Sequence, residues 1–147
     1  MQIKTKYLGD LSIHEDRVIQ FPDGLPGFPN HKQFILLELP GNPVFNILQS
    51  IQEKDLAFIV TSPYHFYSSY AFDLSQSIID RLQIETESDV DVLSIVTIAE
   101  PFSKSTINLK APLIFNIRKK YGKQYILNDV DYPIKAPMTS SQKVKGE

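Results

Sequence analysis

Residues 107–117, INLKAPLIFNI, constrain the chain more than any other stretch. Ile107, Leu109, Ala111, Leu113, Phe115 and Ile117 take the odd positions and all are apolar. Asn108, Lys110, Pro112, Ile114 and Asn116 alternate with them and mostly are not. Successive side chains of a strand point to opposite faces, so the pattern predicts one long strand with six inward positions. Pro112 has no N–H to give a ladder, which predicts a sheet edge, a bulge or a bend at mid-strand. A bend inside a long strand suits a curved sheet or a small barrel. Asn108 and Asn116, on the other face, then mark either a surface that meets a partner or side chains that satisfy buried backbone.

The rest of the chain repeats the β signal. Strands are expected at residues 3–7, 18–21, 33–39, 44–51, 56–62, 90–99 and 124–127, with a turn at 119–122. Residues 22–29, PDGLPGFP, carry three prolines and two glycines in eight positions. That composition predicts a rigid corner with Leu25 and Phe28 tucked onto the core. One short helix is expected, with Asp73 or Ser75 as its cap and Leu74, Ile78 and Leu82 at helical spacing. About eight strands to one helix predicts a mainly β fold, a small antiparallel β-barrel-like domain with one short helix. Its expected extent is residues 1–134, and 135–147 form a polar tail expected to be disordered.

Function classes narrow by elimination. The 147 residues contain no cysteine, which excludes disulfides and thiolate chemistry. No run of about 18 apolar residues and no apolar leader is present, so a cytoplasmic location is the expectation. His14, His31 and His65 are scattered without metal-ligand spacing, and no nucleophile elbow or phosphate loop occurs; no cofactor is expected. Asp89 and Asp91 fall in an expected loop, where solvated carboxylates keep ordinary pKa values. Five aromatics between Tyr64 and Phe72 could stack on bases, but no Lys or Arg lies between Lys54 and Arg81 to hold phosphate. Charge is uneven. Glu85, Glu87, Asp89, Asp91 and Glu100 fall in the cation-free stretch between Arg81 and Lys104, and Arg118, Lys119, Lys120 and Lys123 follow it. The acidic run is either a solvated loop or a docking surface for a basic partner. The basic cluster is expected at a hairpin turn, as a solubilising edge device.

Five segments make the sequence recognisable: FPDGLPGF (21–28), ILQS (47–50), LAFIVTSPY (56–64), EPFS (100–103) and NLKAPLIFN (108–116). In this order and spacing they resemble the flagellar assembly factor FliW family in its Bacillus-type form, across nearly the whole chain. The one departure is Glu100, where the family often has Asp, and the carboxylate is kept.

The resemblance implies a non-catalytic module that binds flagellin in the cytoplasm. It also implies a second partner, the dimeric RNA-binding repressor CsrA, which silences flagellin mRNA. Export of flagellin would free the module to sequester CsrA, docking beside its RNA-binding surface, an allosteric antagonism. On this reading Glu85, Glu87, Asp89 and Asp91 supply the field for the basic repressor. Leu48, Gln49 and Ser50, with Asn108 and Asn116, are expected at a shared or neighbouring surface, and an amphipathic flagellin helix would want an apolar groove with a polar rim. A small β-barrel enzyme with no recognisable site, and a direct RNA-binding module, are the alternatives.

Overall fold

The computed structural model describes residues 1–138. Eleven short strands occur among them: β1 (Gln2–Lys4), β2 (Asp10–Ser12), β3 (Ile19–Gln20), β4 (Gln33–Leu39), β5 (Asn42–Ser50), β6 (Ala57–Thr61), β7 (Val90–Thr97), β8 (Thr106–Ile107), β9 (Leu113–Asn116), β10 (Tyr121–Gln124) and β11 (Ala136–Pro137). Among the described residues there is one α-helix, α1 (Gln76–Arg81). Seven strands close a ring in the order β7, β6, β5, β4, β3, β10, β9 and back to β7. The mainly β barrel with one short helix is therefore what forms. Every seam of the ring is antiparallel except β3 with β10, which is parallel.

Alternation decides what fills the ring. Phe21 stands fully buried at its centre, with the Phe34 and Phe115 rings edge-on at 5.2 and 5.8 Å. Leu48, Val60, Leu93 and Leu113 complete the filling. Gly122 of β10 faces Phe21, and a Cβ there would lie 2.6 Å from the ring, so only glycine lets the aromatic sit at the centre. The outer faces are covered in three places. The β1–β2 hairpin lies over Ile35, Leu37 and Ile47. Helix α1 lays Ile78 and Leu82 over Ile114, and its first turn is capped by Ser75, whose Oγ accepts from the Ile78 N–H. The last part of the chain covers Phe45, Val96 and Ile107 with Leu127, Ala136 and Met138.

The two ends of the barrel differ. Residues 22–29 follow β3 and cork one end, with Leu25 buried. Gly24 has φ +64°, and a Cβ there would lie 2.6 Å from the carbonyl oxygens of Phe28 and Pro29, so the loop folds back on itself only with glycine at this point. Phe28 stays 38% exposed, its ring edge-on to Phe58, and is only partly tucked in. The other end, where β3 and β7 begin and β4 and β9 finish, is open.

The 107–117 stretch is not one strand. Val96 pairs with Ile107 and Leu93 with Leu113, so residues 108–112 stand opposite only Ser94 and Ile95 and must loop out. Asn108 closes the loop: its N–H donates to the Ile95 carbonyl, and its Oδ1 accepts from the Lys110 and Ala111 N–H groups at 3.1 and 3.0 Å. The strand expected at 124–127 is β10, three residues earlier. Residues 125–127 instead border the loop, with Tyr125 N–H donating to Pro112 O and Leu127 N–H to Lys110 O. The turn ahead of β10 accordingly falls at 117–120, with Lys120 at φ +62°. The boundary expected at 134 is also too early. Ala136 pairs with Ile107, and Ala136 and Met138 are buried, so the domain runs at least to Met138. The remainder of the expected tail lies outside the described residues.

Candidate functional site

The polar residues singled out in the sequence divide by where the alternation puts them. Leu48, Gln49 and Ser50 have no exposed surface, and so do not form a face in this structure. Leu48 fills the barrel interior. The Gln49 Nε2 donates to the carbonyls of Ser50 and Lys54 at 3.0 Å each, and its Oε1 accepts from the Lys6 N–H at 3.0 Å. Ser50 Oγ accepts from the Gln52 and Glu53 N–H groups at 3.1 and 3.0 Å. Together they build the turn after β5 and pin the amino-terminal hairpin to the barrel. Buried polar atoms must be paired, and these are.

Asn116 does the same work at the open end. It is fully buried, its Nδ2 donates to the Leu82 and Gln83 carbonyls at 2.8 and 3.0 Å, and its Oδ1 accepts from the Arg118 and Lys119 N–H groups at 3.1 Å each. All four side-chain hydrogen-bonding sites are used. The end of α1 is thereby tied to the turn after β9. Around it the acidic stretch meets the basic cluster. Asp89 is buried; its Oδ2 accepts from the Glu85 and Thr86 N–H groups, and the Arg118 Nε donates to Oδ1 at 3.1 Å. Glu85 pairs with Arg118 at 2.9 Å and with Lys119 at 3.5 Å. The Arg118 guanidinium, helped by the Glu85 N–H, holds the Asp89 carboxyl well below the usual carboxylate range against the opposing effect of burial. The expectation of an ordinary pKa therefore fails for Asp89, because the loop folds onto a cation from elsewhere. Three members of the basic cluster are correspondingly ion-pair partners and not an edge device: Arg118 and Lys119 hold Glu85 and Asp89, and Lys123 joins Arg81 on Asp23 at the corked end, while Lys120 holds no carboxylate among the described residues.

Glu87, Asp91 and Glu100 are what remains of the acidic stretch, and Glu87 and Asp91 line one groove. Both are exposed, and among the described residues neither has a cation within ion-pair distance. They flank a groove of about 340 Å³ whose floor is Phe72, Leu74, Val90 and Val92, with Tyr64 at its edge. An apolar floor between free carboxylates suits a segment that carries both apolar and cationic side chains.

Three comparisons bear on this arrangement. The model of the FliW protein family matches residues 2–138. A flagellar assembly factor FliW of Oceanobacillus iheyensis is 48% identical over 147 residues, covering 100% of both chains. The chain belongs to the FliW family. A FliW of Bacillus subtilis strain 168 is 46% identical over 138 residues, 94% of this chain and 96% of that one. A crystal structure of the flagellar assembly factor FliW superposes with a TM-score of 0.90 at 40% identity, covering 94% of this chain and 96% of the other. The match from residue 2 to Met138 agrees with the fold boundary set by β11, and the relatives are named as assembly factors.

No helix among the described residues is long and apolar enough to cross a membrane. No group of three or more His, Asp or Glu residues among them could hold a metal ion. Sequence reasoning missed the aromatic wall of the groove, although its signal was there. Tyr64 and Phe72 stood in the cation-free aromatic run, and the acidic run followed the one expected helix.

Proposed function

We propose that this chain is a regulatory binding protein that holds flagellin in the cytoplasm and, when flagellin has been exported, sequesters the repressor CsrA, so that flagellin mRNA is translated. Family membership over the whole described fold supports the flagellar role. The observation that carries the repressor half is the groove between Glu87 and Asp91. A protein that binds RNA presents basic side chains, and two unpaired carboxylates over an apolar floor complement them. Glu85 and Asp89, already neutralised by Arg118 and Lys119, contribute to holding that surface in place and not to the encounter. The non-competitive mode, with the repressor engaged beside its RNA site, is what the resemblance to the family implies. The test is a pull-down of the purified protein with flagellin and with CsrA, each alone and then together, at moderate and high salt. Binding to each alone, with flagellin displacing CsrA and with CsrA retention falling in salt, is expected. Loss of CsrA binding in Glu87→Gln/Asp91→Asn, with flagellin binding kept, assigns the groove. A folded protein that binds neither partner sinks the reading.

A further inference from the structure

The open end of the barrel carries a second groove of opposite character. It has a volume of about 210 Å³ and is lined by Ile19, Leu36, Phe115 and Ile117, with Arg17, Lys120 and Asp91 among its polar walls. Two features bear on what it could hold. The first is charge. Arg118, Lys119 and Lys123, in and beside the turn that carries Lys120, each hold a carboxylate. Arg17 and Lys120 hold none among the described residues. They donate instead to main-chain carbonyls, Arg17 Nη2 to Leu36 O at 2.9 Å and Lys120 Nζ to Ile117 O at 2.9 Å. Each cation is thus steadied at the groove with donor capacity left over. The second is the backbone. Lys120 sits at φ +62°, where glycine or asparagine would be at ease and a lysine is strained. Strain held at a side chain that touches nothing acidic points to a use for that side chain.

We propose that this mouth is a docking site for a peptide segment in which a single acidic side chain adjoins a branched aliphatic one. The carboxylate lies between Arg17 and Lys120, and the aliphatic side chain enters over Ile19, Leu36 and the half-exposed Ile117. The volume admits one or two such side chains and not a whole lipid acyl chain, which favours a residue over a lipid as the apolar part of the ligand. Asp91 on the remaining wall repels a second carboxylate, so a run of acids is rejected and a lone acid accepted. Asp91 lines both this mouth and the acidic groove on its other side. The two surfaces therefore meet at one residue while selecting ligands of opposite charge. This inference does not rest on the identity of either partner proposed above.

The test is fluorescence anisotropy with a fluorescein-labelled, carboxamide-ended decapeptide carrying one Glu beside a Leu-Ile pair in a Gly-Ser background. The expected result is binding that weakens about tenfold when that Glu is replaced by Gln. The double variant Arg17→Gln/Lys120→Gly should lose the distinction between the two peptides. Lys120→Gly fits the local φ, and a melting curve no lower than the parent's shows that the loss is not one of fold. Asp91→Asn should tighten binding of the Glu peptide and admit one with two further acids. Equal binding of the Glu and Gln peptides, or full binding by the folded double variant, overturns the proposal. A Gln peptide with a free terminal carboxylate that binds when the Glu peptide does not would overturn it too, by making the mouth a chain-end site.

Discussion

The corner at Asp23 and the mouth at Lys120 are built from the same kinds of residue and treat them in opposite ways. At the corked end, Asp23 gathers Arg81 at 2.8 Å and Lys123 at 2.9 Å, which joins the PDGLPGFP corner to the helix and to β10. At the open end, Arg118 and Lys119 are spent on Glu85 and Asp89, while Arg17, Lys120, Glu87 and Asp91 are left without ion partners among the described residues. Charge is thus used for closure at the Asp23 corner, and around the mouth two cations and two carboxylates stay free beside the paired ones. A net charge of −2 conceals this division, because paired and unpaired groups count alike in a sum. What distinguishes a structural charge from a candidate contact is whether the fold brings it a partner.

The comparison can be broken first at its shared support. Phe21 joins the two ends, and Phe21→Ala should cost about 3 to 5 kcal/mol in urea unfolding. A cost under about 1 kcal/mol would mean that the ends are held independently. Next comes Asn116, whose removal strands two carbonyls and two N–H groups near the mouth. Asn116→Ala should cost about 1 to 3 kcal/mol, and stability unchanged from the parent would count against the buried network. The acid limb sharpens the contrast further. The Arg81 and Lys123 pairings hold the Asp23 carboxyl below the usual range, as Arg118 does for Asp89. Both would titrate at about 3.9 when unfolded, so their stabilisation is complete above that pH and is lost as pH falls toward the folded values. The urea midpoint should drop on acidification below about pH 4, and the double variant Asp23→Asn/Asp89→Asn should flatten that drop. An acid limb as steep in the variant would place the loss on other carboxylates. The smallest effect is at Lys120. Lys120→Gly should raise stability by up to about 1 kcal/mol, since it removes left-handed strain without removing an ion pair. A fall in the melting temperature would show that Lys120 supports the mouth.

Much of the barrel was legible where alternation ran without interruption. Residues 33–39 form β4 with the expected ends, and Ser75 with Ile78 and Leu82 marked the helix and its buried face. Alternation failed at Asn108, because an asparagine that folds back on its own main chain looks, in the sequence, like one facing outward. It failed at β10 because Tyr-Gly-Lys-Gln puts a glycine where an apolar residue would announce the inward face. The end of the domain was misjudged because Ala136, Pro137 and Met138 are too few to show a period. For the site, the acidic run was visible as a run, but its division into Glu85 and Asp89 on one hand and Glu87 and Asp91 on the other depends on Arg118 and Lys119, about thirty residues away. No local pattern carries that.

The parallel seam has a kinetic consequence. Strands β4 and β5 face each other over six residue pairs, whereas β3 and β10 share one, Gln20 with Tyr121, with the Gln20 N–H donating to the Lys120 carbonyl at 2.8 Å. A ring with one short clasp has a preferred place to come undone. Amide hydrogens at Gln20 and around the turn that precedes β10 should exchange with solvent through a local opening, well before those of β4, β5 and β6 do so through global unfolding. The mouth with its unpaired Arg17 and Lys120 lies beside that clasp.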